Sequence, residues 1–378
     1  MQKRDDYMDR QVERIIRQRN RLMKKCRALK MYGLIVTLLL IIAIAVIVVM
    51  AVTGGRKDSN QANDQSQSAV ISENIGDHNG KPSQVQAETQ TETENESQRM
   101  ARLYEEQLDA LAGKIDVSGL NSPYVLLTDV ETGRTLAENQ STASIYPASL
   151  TKIMTAVVAI ENTADLNAAV TVPGDFYDEL YAQNASMAGF LPGEQTTYMD
   201  LLYGILLPSG ADSCMTFAYE IAGSEAAFVD LMNQKAASLG MDNTHFVNAT
   251  GLHDPQHYTT ASDLTKLLLY ALKNETFREV FESSRHTVGP TNMHAEGFTF
   301  QSSMFSAMNS DQVSGGNIVG GKTGYTGEAG LCLASLAHID DHDYILITTG
   351  APGDHSTEPF HIIDAQNVYN QLGTAIEE

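Results

Sequence analysis

Residues 317–350 read NIVGGKTGYTGEAGLCLASLAHIDDHDYILITTG. Three runs rich in Val, Ile, Leu, Ala and Thr are broken by TGEAG and by DDHD, so the stretch reads as three strands in series. The DDHD suits a tight antiparallel turn. Downstream, EPFHIIDAQNVYNQLG (358–373) returns to helical spacing. Upstream, YVLLTDVETGRTLAEN (124–139) reads as a hairpin whose turn carries Gly133. The text between Ser149 and Ala271 is mostly helical: SLTKIMTAVVAIEN (149–162), TTYMDLLYGILL (196–207) and SEAAFVDLMNQKAASLG (224–240), the last stopped by its glycine. MARLYEEQLDALAGKI (100–115) has apolar positions at helical spacing and leads into the domain. Strands, then a helical insert, then strands and a helix predict one α+β domain over residues 100–378. Its terminal segments share one antiparallel sheet flanked by helices, and its insert is all-helical.

The chain has 378 residues and a formal charge of −22, which argues against a nucleic-acid binder, since a phosphate backbone needs a basic face. The charge is not uniform. Residues 1–30 hold 11 Lys+Arg and 4 Asp+Glu, a net of +7 that leaves −29 for the remainder. Residues 31–55, MYGLIVTLLLIIAIAVIVVMAVTGG, carry no charge. About 20 apolar residues suffice for a helix to cross the hydrocarbon layer, so this run predicts a transmembrane helix. The excess of cations before it puts residues 1–30 in the cytoplasm and the body outside. A cleaved signal peptide is the alternative, but its apolar region is shorter, about 7–15 residues. Cys26, near the membrane, is either an acylation site or an unused thiol. Residues 56–99 are Gln, Asn, Ser, Thr and Glu with hardly any large apolar side chain, and read as a disordered tether. Such a tether spans on the order of 35–40 Å.

Three places in the body carry chemistry. Ser149-Leu150-Thr151-Lys152 opens an apolar helix. Residues three apart share a helix face and side chains lean toward the N-terminus, so Lys152 can reach back to the Ser149 hydroxyl. An amine kept from water loses its proton more easily and can act as a general base. An N-cap serine followed by a surface lysine gives the same letters. The apolar helix after Lys152 argues instead for a central position. Lys322-Thr323-Gly324 lies on a strand, and Lys322 is the only Lys or Arg between His286 and Glu378. It is either a solvated side chain or one placed to meet an anion. Gly324 allows close backbone approach. Ser209-Gly210-Ala211-Asp212 is a small-residue turn between apolar helices, and matters because the three places can converge.

SxxK at a helix start, LLPSG about 60 residues on, and a KTGYT strand beyond together resemble the penicillin-recognising serine enzymes. The body is similar in particular to the serine D-alanyl-D-alanine carboxypeptidases, the low-molecular-mass penicillin-binding proteins. The resemblance is carried by YPASLTKIMTAVVAIE (146–161), LPGEQTTYMDLLYGILLPSGADS (191–213), GMDNTHFVNATGLHDPQHYTTASDL (240–264) and GKTGYTGEAGLCLAS (321–335), and covers Pro123 to Gly350. It implies the β-lactamase/DD-peptidase-like fold and the removal of a terminal D-Ala from peptidoglycan stem peptides. It implies that Ser149 is the acylated nucleophile, that Lys152 takes its proton and that Ser209 relays a proton to the leaving D-Ala. Lys322, Thr323, Gly324 and Tyr325 would bind substrate, with the N–H groups of Ser149 and Tyr325 as the oxyanion hole. β-Lactams would acylate the same serine, and no cofactor or metal is implied.

Two departures stand out. The second motif usually reads Ser-x-Asn, and its third position here is Ala211; losing an amide contact costs about 1–3 kcal/mol unless Asp212 or a water compensates. The chain also ends soon after its final helix, where many members continue into a small β domain and an amphipathic membrane helix. The N-terminal anchor is expected to stand in for the latter. A class A β-lactamase would need a deacylating Glu in an ExxLN-like loop, which is not found after Ser209. His253/His257 with Asp254, and His338/His342 with Asp340, have metal-ligand-like spacing but no recognisable zinc pattern. No G-x-S-x-G elbow supports a Ser-His-Asp hydrolase. A non-hydrolytic penicillin- or peptide-binding receptor or scaffold of the same fold is the non-enzyme alternative. Cys214 and Cys332 read as small buried hydrophobes.

Overall fold

The computed structural model describes residues 96–378. The basic head, the apolar run of 31–55 and residues 56–95 of the tether lie outside the described residues. Among those described, no helix is long and apolar enough to cross a membrane. Helix α1 (Glu96–Leu111) starts inside the last four residues assigned to the tether.

Strands β1 (Tyr124–Asp129) and β2 (Thr135–Asn139) form an antiparallel hairpin, with Gly133 at φ +73° in its turn. A 3-10 turn, Ala148–Leu150, runs directly into α2 (Thr151–Asn162). Then come β3 (Ala169–Thr171), α3 (Tyr177–Ala182), β4 (Gln195–Thr197), α4 (Tyr198–Leu206), α5 (Ala211–Ala222), α6 (Glu225–Ser238), α7 (Ala261–Ala271) and α8 (Glu275–Phe281). A hairpin of β5 (Arg285–Val288) and β6 (Phe298–Gln301), and the short α9 (Ser303–Ala307), lead back to the sheet. The chain finishes with β7 (Gln312–Val313), β8 (Gly316–Thr326), β9 (Gly330–Ile339), β10 (His342–Ala351) and α10 (Phe360–Glu377).

The six-stranded sheet has the order β2-β1-β10-β9-β8-β7, antiparallel throughout, so both ends of the described chain meet in it. The α+β expectation holds, but the insert is not all-helical. It contains the β3–β4 pair, whose three-residue strands are too short to show a period of two, and β5–β6 stands apart as a second small sheet. The β9–β10 turn places Asp340 and Asp341 at φ +49° and +65°, the two left-handed residues of a primed hairpin turn.

Alternation along the strands divides the core. Leu126, Cys332, Ala334, Leu336, Ile345 and Ile347 face the helical insert, where they pack with α2. Val125, Leu127, Leu333, Ile339 and Leu346 face the other way, under α1 and α10. Helix α2 is buried on every side from Thr151 to Ala159, so it is the axis of the insert, and its N-terminal end abuts β8.

Candidate active site

Ser149 sits in the middle of the 3-10 turn, two residues before the α-helix proper. Leu150 and Thr151 keep helical backbone angles, so the turn and α2 are continuous and Lys152 lies one turn on. Lys152 is 2% exposed. Its Nζ donates to Ser149 Oγ at 3.2 Å and to the carbonyl of Thr250 at 2.5 Å. Burial pushes its pKa down, while the nearby Cys214 and Asp212 oppose that shift.

Lys322, on β8, is fully buried, and its Nζ donates to Ser209 Oγ at 3.0 Å and to the Thr323 carbonyl at 2.7 Å. Burial lowers its pKa well below the usual lysine range, and the positive charge of Lys152 lowers it further. Ser209, in the link between α4 and α5, has φ +69°, and Ala148, beside Ser149, has φ +46°. A side chain in the left-handed region costs of order 1–3 kcal/mol, so both turns are held by their surroundings against local preference. Strand β8 crosses close to the Ser149 turn. A Cβ on Gly324 would lie 3.0 Å from Ser149 N and 3.2 Å from Ala148 Cβ. Ser149, Lys152, Ser209, Lys322, Thr323, Gly324 and Tyr325 thus meet around one groove.

Several further residues complete this arrangement. The loop 248–252 supplies the Thr250 carbonyl. Its Gly251 has φ +79°, and a Cβ there would sit 1.9 Å from the Ala148 carbonyl oxygen. Ser303 Oγ lies 2.5 Å from Thr323 Oγ1. His257 is buried, with Nε2 2.8 Å from Thr151 Oγ1, and burial pushes its pKa down to about 4. The HxxxH spacing of His253 and His257 in GLHDPQH does not mark a metal site here, since His257 Nδ1 accepts from Val247 N at 3.2 Å.

Ala211 is fully buried at the first position of α5, on the wall of the groove, and its N–H donates to the Ser186 carbonyl at 2.7 Å. Asp212 does not replace a missing amide. Both its oxygens point away into the 188–190 loop, accepting from Ala188 N (2.8 Å), Gly189 N (2.9 Å), Phe190 N (3.1 Å) and Ser213 N (3.0 Å). Burial raises its pKa and the four N–H groups oppose that; four donors and no acceptor for a carboxyl proton fit the carboxylate. Cys214 and Cys332 are both buried and free, their thiols pushed up to about 12 by burial. His253 stands edge-on to Tyr146, His338 Nδ1 lies 2.8 Å from Asp343, and His342 stacks on Tyr104.

Two cavities meet at Ser149, and Ser149, Ser186, Tyr325 and His355 line both. The larger, about 760 Å³, runs past Lys152 and Ala211 toward Glu179, Glu225 and Asp254. The smaller, about 360 Å³, runs past Ser209, Ser303 and Thr323 to the start of α10. A serine hydroxyl on a buried, deprotonatable amine, at the junction of two clefts, can attack a carbonyl and separate its two halves.

Residues 114–353 match the family described as D-alanyl-D-alanine carboxypeptidase. The chain is 30% identical over 243 residues to the D-alanyl-D-alanine carboxypeptidase DacF of Bacillus subtilis, covering 63% of this chain and 60% of that one. It is 35% identical over 248 residues to DacC of Escherichia coli, also a D-alanyl-D-alanine carboxypeptidase, covering 61% and 56%. The chain thus spans little more than half the length of these curated relatives. Its fold is similar to that of a Streptomyces DD-transpeptidase, with TM-score 0.61 and 28% identity, covering 69% of this chain and 100% of the other.

Proposed function

The chain belongs to the D-alanyl-D-alanine carboxypeptidase family, and from that premise we propose that it is a membrane-anchored serine peptidase trimming peptidoglycan stem peptides. The observation that carries this reading is the 3.2 Å approach of Lys152 Nζ to Ser149 Oγ inside a buried site. Neutral Lys152 takes the Ser149 proton as Oγ attacks the carbonyl of the penultimate D-Ala. The oxyanion is held by the N–H groups of Ser149 and Tyr325. The peptide C–N bond breaks, and Ser209 passes its proton to the amine of the departing D-Ala while the proton held by Lys152 replaces it, which returns Lys152 to its neutral form. Lys322 and Thr323 hold that residue's carboxylate, with Gly324 and Tyr325 lining the path of the substrate backbone. Water then attacks the Ser149 ester, giving up a proton to neutral Lys152, which hands it to Ser149 Oγ as the ester C–O bond breaks and a stem peptide one residue shorter is freed. A β-lactam, whose ring amide takes the place of the scissile bond, would acylate the same oxygen.

The uncharged run of 31–55 between a basic head and an acidic body supports an anchor with residues 1–30 in the cytoplasm and the catalytic domain outside. The experiment is to incubate the full chain with an N-acylated peptide ending in D-Ala-D-Ala and assay free D-Ala. Release by the wild type and none by Ser149→Ala is the expected result. Ala211, where an amide would help hold the substrate, favours a second reading, a receptor that is acylated by penicillin but turns nothing over. Labelling without release would select it.

A further inference from the structure

Resting on the reading above, we infer that His257 is a positioning residue for the general base: its Nε2–H holds Thr151, and with it the first turn of α2, against the loop whose Thr250 carbonyl receives Lys152. The role of each ring nitrogen follows from its partner. Nδ1 lies 3.2 Å from Val247 N, a backbone N–H that can only donate, so Nδ1 accepts and carries no proton. The neutral ring then bears its hydrogen on Nε2 and gives it to Thr151 Oγ1 at 2.8 Å. Burial keeps the ring neutral, its pKa pushed down to about 4. A proton on Nδ1 would meet the Val247 N–H donor against donor. Asp254, His245 and His253 on its own segment and Lys152 on α2 are the titratable groups around it, but both ring nitrogens are engaged elsewhere. Phe246 stands edge-on to the ring and limits its rotation.

One ring thereby joins three pieces of backbone. His245 pairs with Tyr258 and closes residues 246–257 into a loop, while Thr259 pairs with Ile145 on the segment that enters the Ser149 turn. Val247 stands on the outgoing limb of this loop and His257 on the returning one. Nδ1 braces the two limbs, and Nε2–H braces both to α2. The tip between them makes the contacts that fix the base. The Thr250 carbonyl accepts from Lys152, the Ala249 carbonyl accepts from Thr155 Oγ1 at 2.6 Å, and Gly251 lies against the Ala148 carbonyl. Thr151 is the residue immediately before Lys152, so a small rotation of its turn swings Lys152 Nζ away from Ser149 Oγ. Neither Thr151 nor His257 lines either of the two cavities that meet at Ser149. The pair therefore acts on the base from behind, without touching a substrate.

The test follows labelling of the full chain by a fluorescent penicillin at pH 7 over a range of concentrations. It yields an acylation rate constant, a dissociation constant for the complex that precedes acylation, and the fraction of chains labelled at completion. His257→Asn keeps an acceptor near Nδ1 and loses the donor at Nε2, whereas His257→Gln keeps a donor near Nε2. For His257→Asn the rate constant should fall roughly ten- to a hundredfold, with the dissociation constant within about twofold of wild type and the labelled fraction unchanged. His257→Gln should recover most of the rate. Thr151→Val should match His257→Asn, and the two together should be no slower than either alone, because one hydrogen bond is lost in all three. A smaller labelled fraction that reacts at the wild-type rate would mean that His257 supports the fold alone. A weaker complex with an unchanged rate constant would mean that it acts on the ligand. Losses that multiply in the double variant, or a Gln variant as slow as Asn, would mean that the bond to Thr151 is not the cause. Each overturns the inference. Should His257→Asn fail to fold, Thr151→Val decides, and full labelling at the wild-type rate refutes it. A wild type that penicillin does not label would instead refute the proposed acylation of Ser149, and this role with it.

Discussion

In the proposed reaction Ser149 needs a base, because a hydroxyl is a poor nucleophile at neutral pH. Lys152 qualifies only if it can shed its proton, which is what burial provides. Lys152→Arg is therefore the informative substitution. Arg keeps the charge and some of the reach but stays protonated, so acylation should fall by about 10²–10⁴, measured as the rate of penicillin labelling. The sign of the pH dependence follows from the same shift. Below the lowered Lys152 pKa the amine is protonated and cannot accept, so acylation should rise with pH and level off below the usual lysine value of 10.5. A profile that keeps rising to 10.5 would mean an unperturbed amine. At this scale much of the site was legible. Ser149 and Lys152 are joined by helical spacing, and Lys322 stands out as a solitary cation. What was not legible is contact without pattern: the Thr250 carbonyl lies 98 positions from Lys152, and Ser303 lies 20 from Thr323. A backbone carbonyl, moreover, has no letter.

Among the elements, the loop 248–252 and strand β8 clamp the Ser149 turn from two sides. Gly251→Ala puts a methyl into the Ala148 carbonyl and into a left-handed backbone at once. It should cost about 1–3 kcal/mol in denaturant unfolding and, by shifting Thr250 off Lys152, at least about tenfold in acylation. Loss of stability with full acylation would mean that the loop does not position the lysine. Asp212→Ala strips four N–H groups of their acceptor, so a drop of more than about 3 kcal/mol is expected, read from the urea midpoint. The long sheet strands and the terminal helices were readable because each is long enough to repeat its period. The β3–β4 pair and the β5–β6 hairpin escaped for the opposite reason, the latter also because nine residues separate its strands. Burial of α2 on all sides showed in its text, where apolar residues are not confined to one face.

For the whole molecule, the described body is built on a six-stranded sheet with a core on each face, and its pH response has two buried histidines in it. His257 and His361 are both pushed down to about 4 by burial, against 6.5 when exposed. As pH falls below 6.5 the unfolded chain takes up these protons first, so stability should decline between about 6.5 and about 4, and level off for these groups below that. Urea midpoints across this window test it, and a flat profile would contradict neutral burial. The basic head and acidic body were visible in the charge count, which is why the anchor could be proposed from sequence. The pairing of the two ends of the domain in one sheet was inferred from strand order, whereas the meeting of two cavities at one hydroxyl required the folded chain. The central claim is that Ser149 is acylated. The most direct measurement is the intact mass of the full chain after penicillin treatment, followed by mapping of the adduct to a peptide. A single adduct on the peptide carrying Ser149, absent from Ser149→Ala, is the predicted result; an adduct on another residue, or none, would contradict the account.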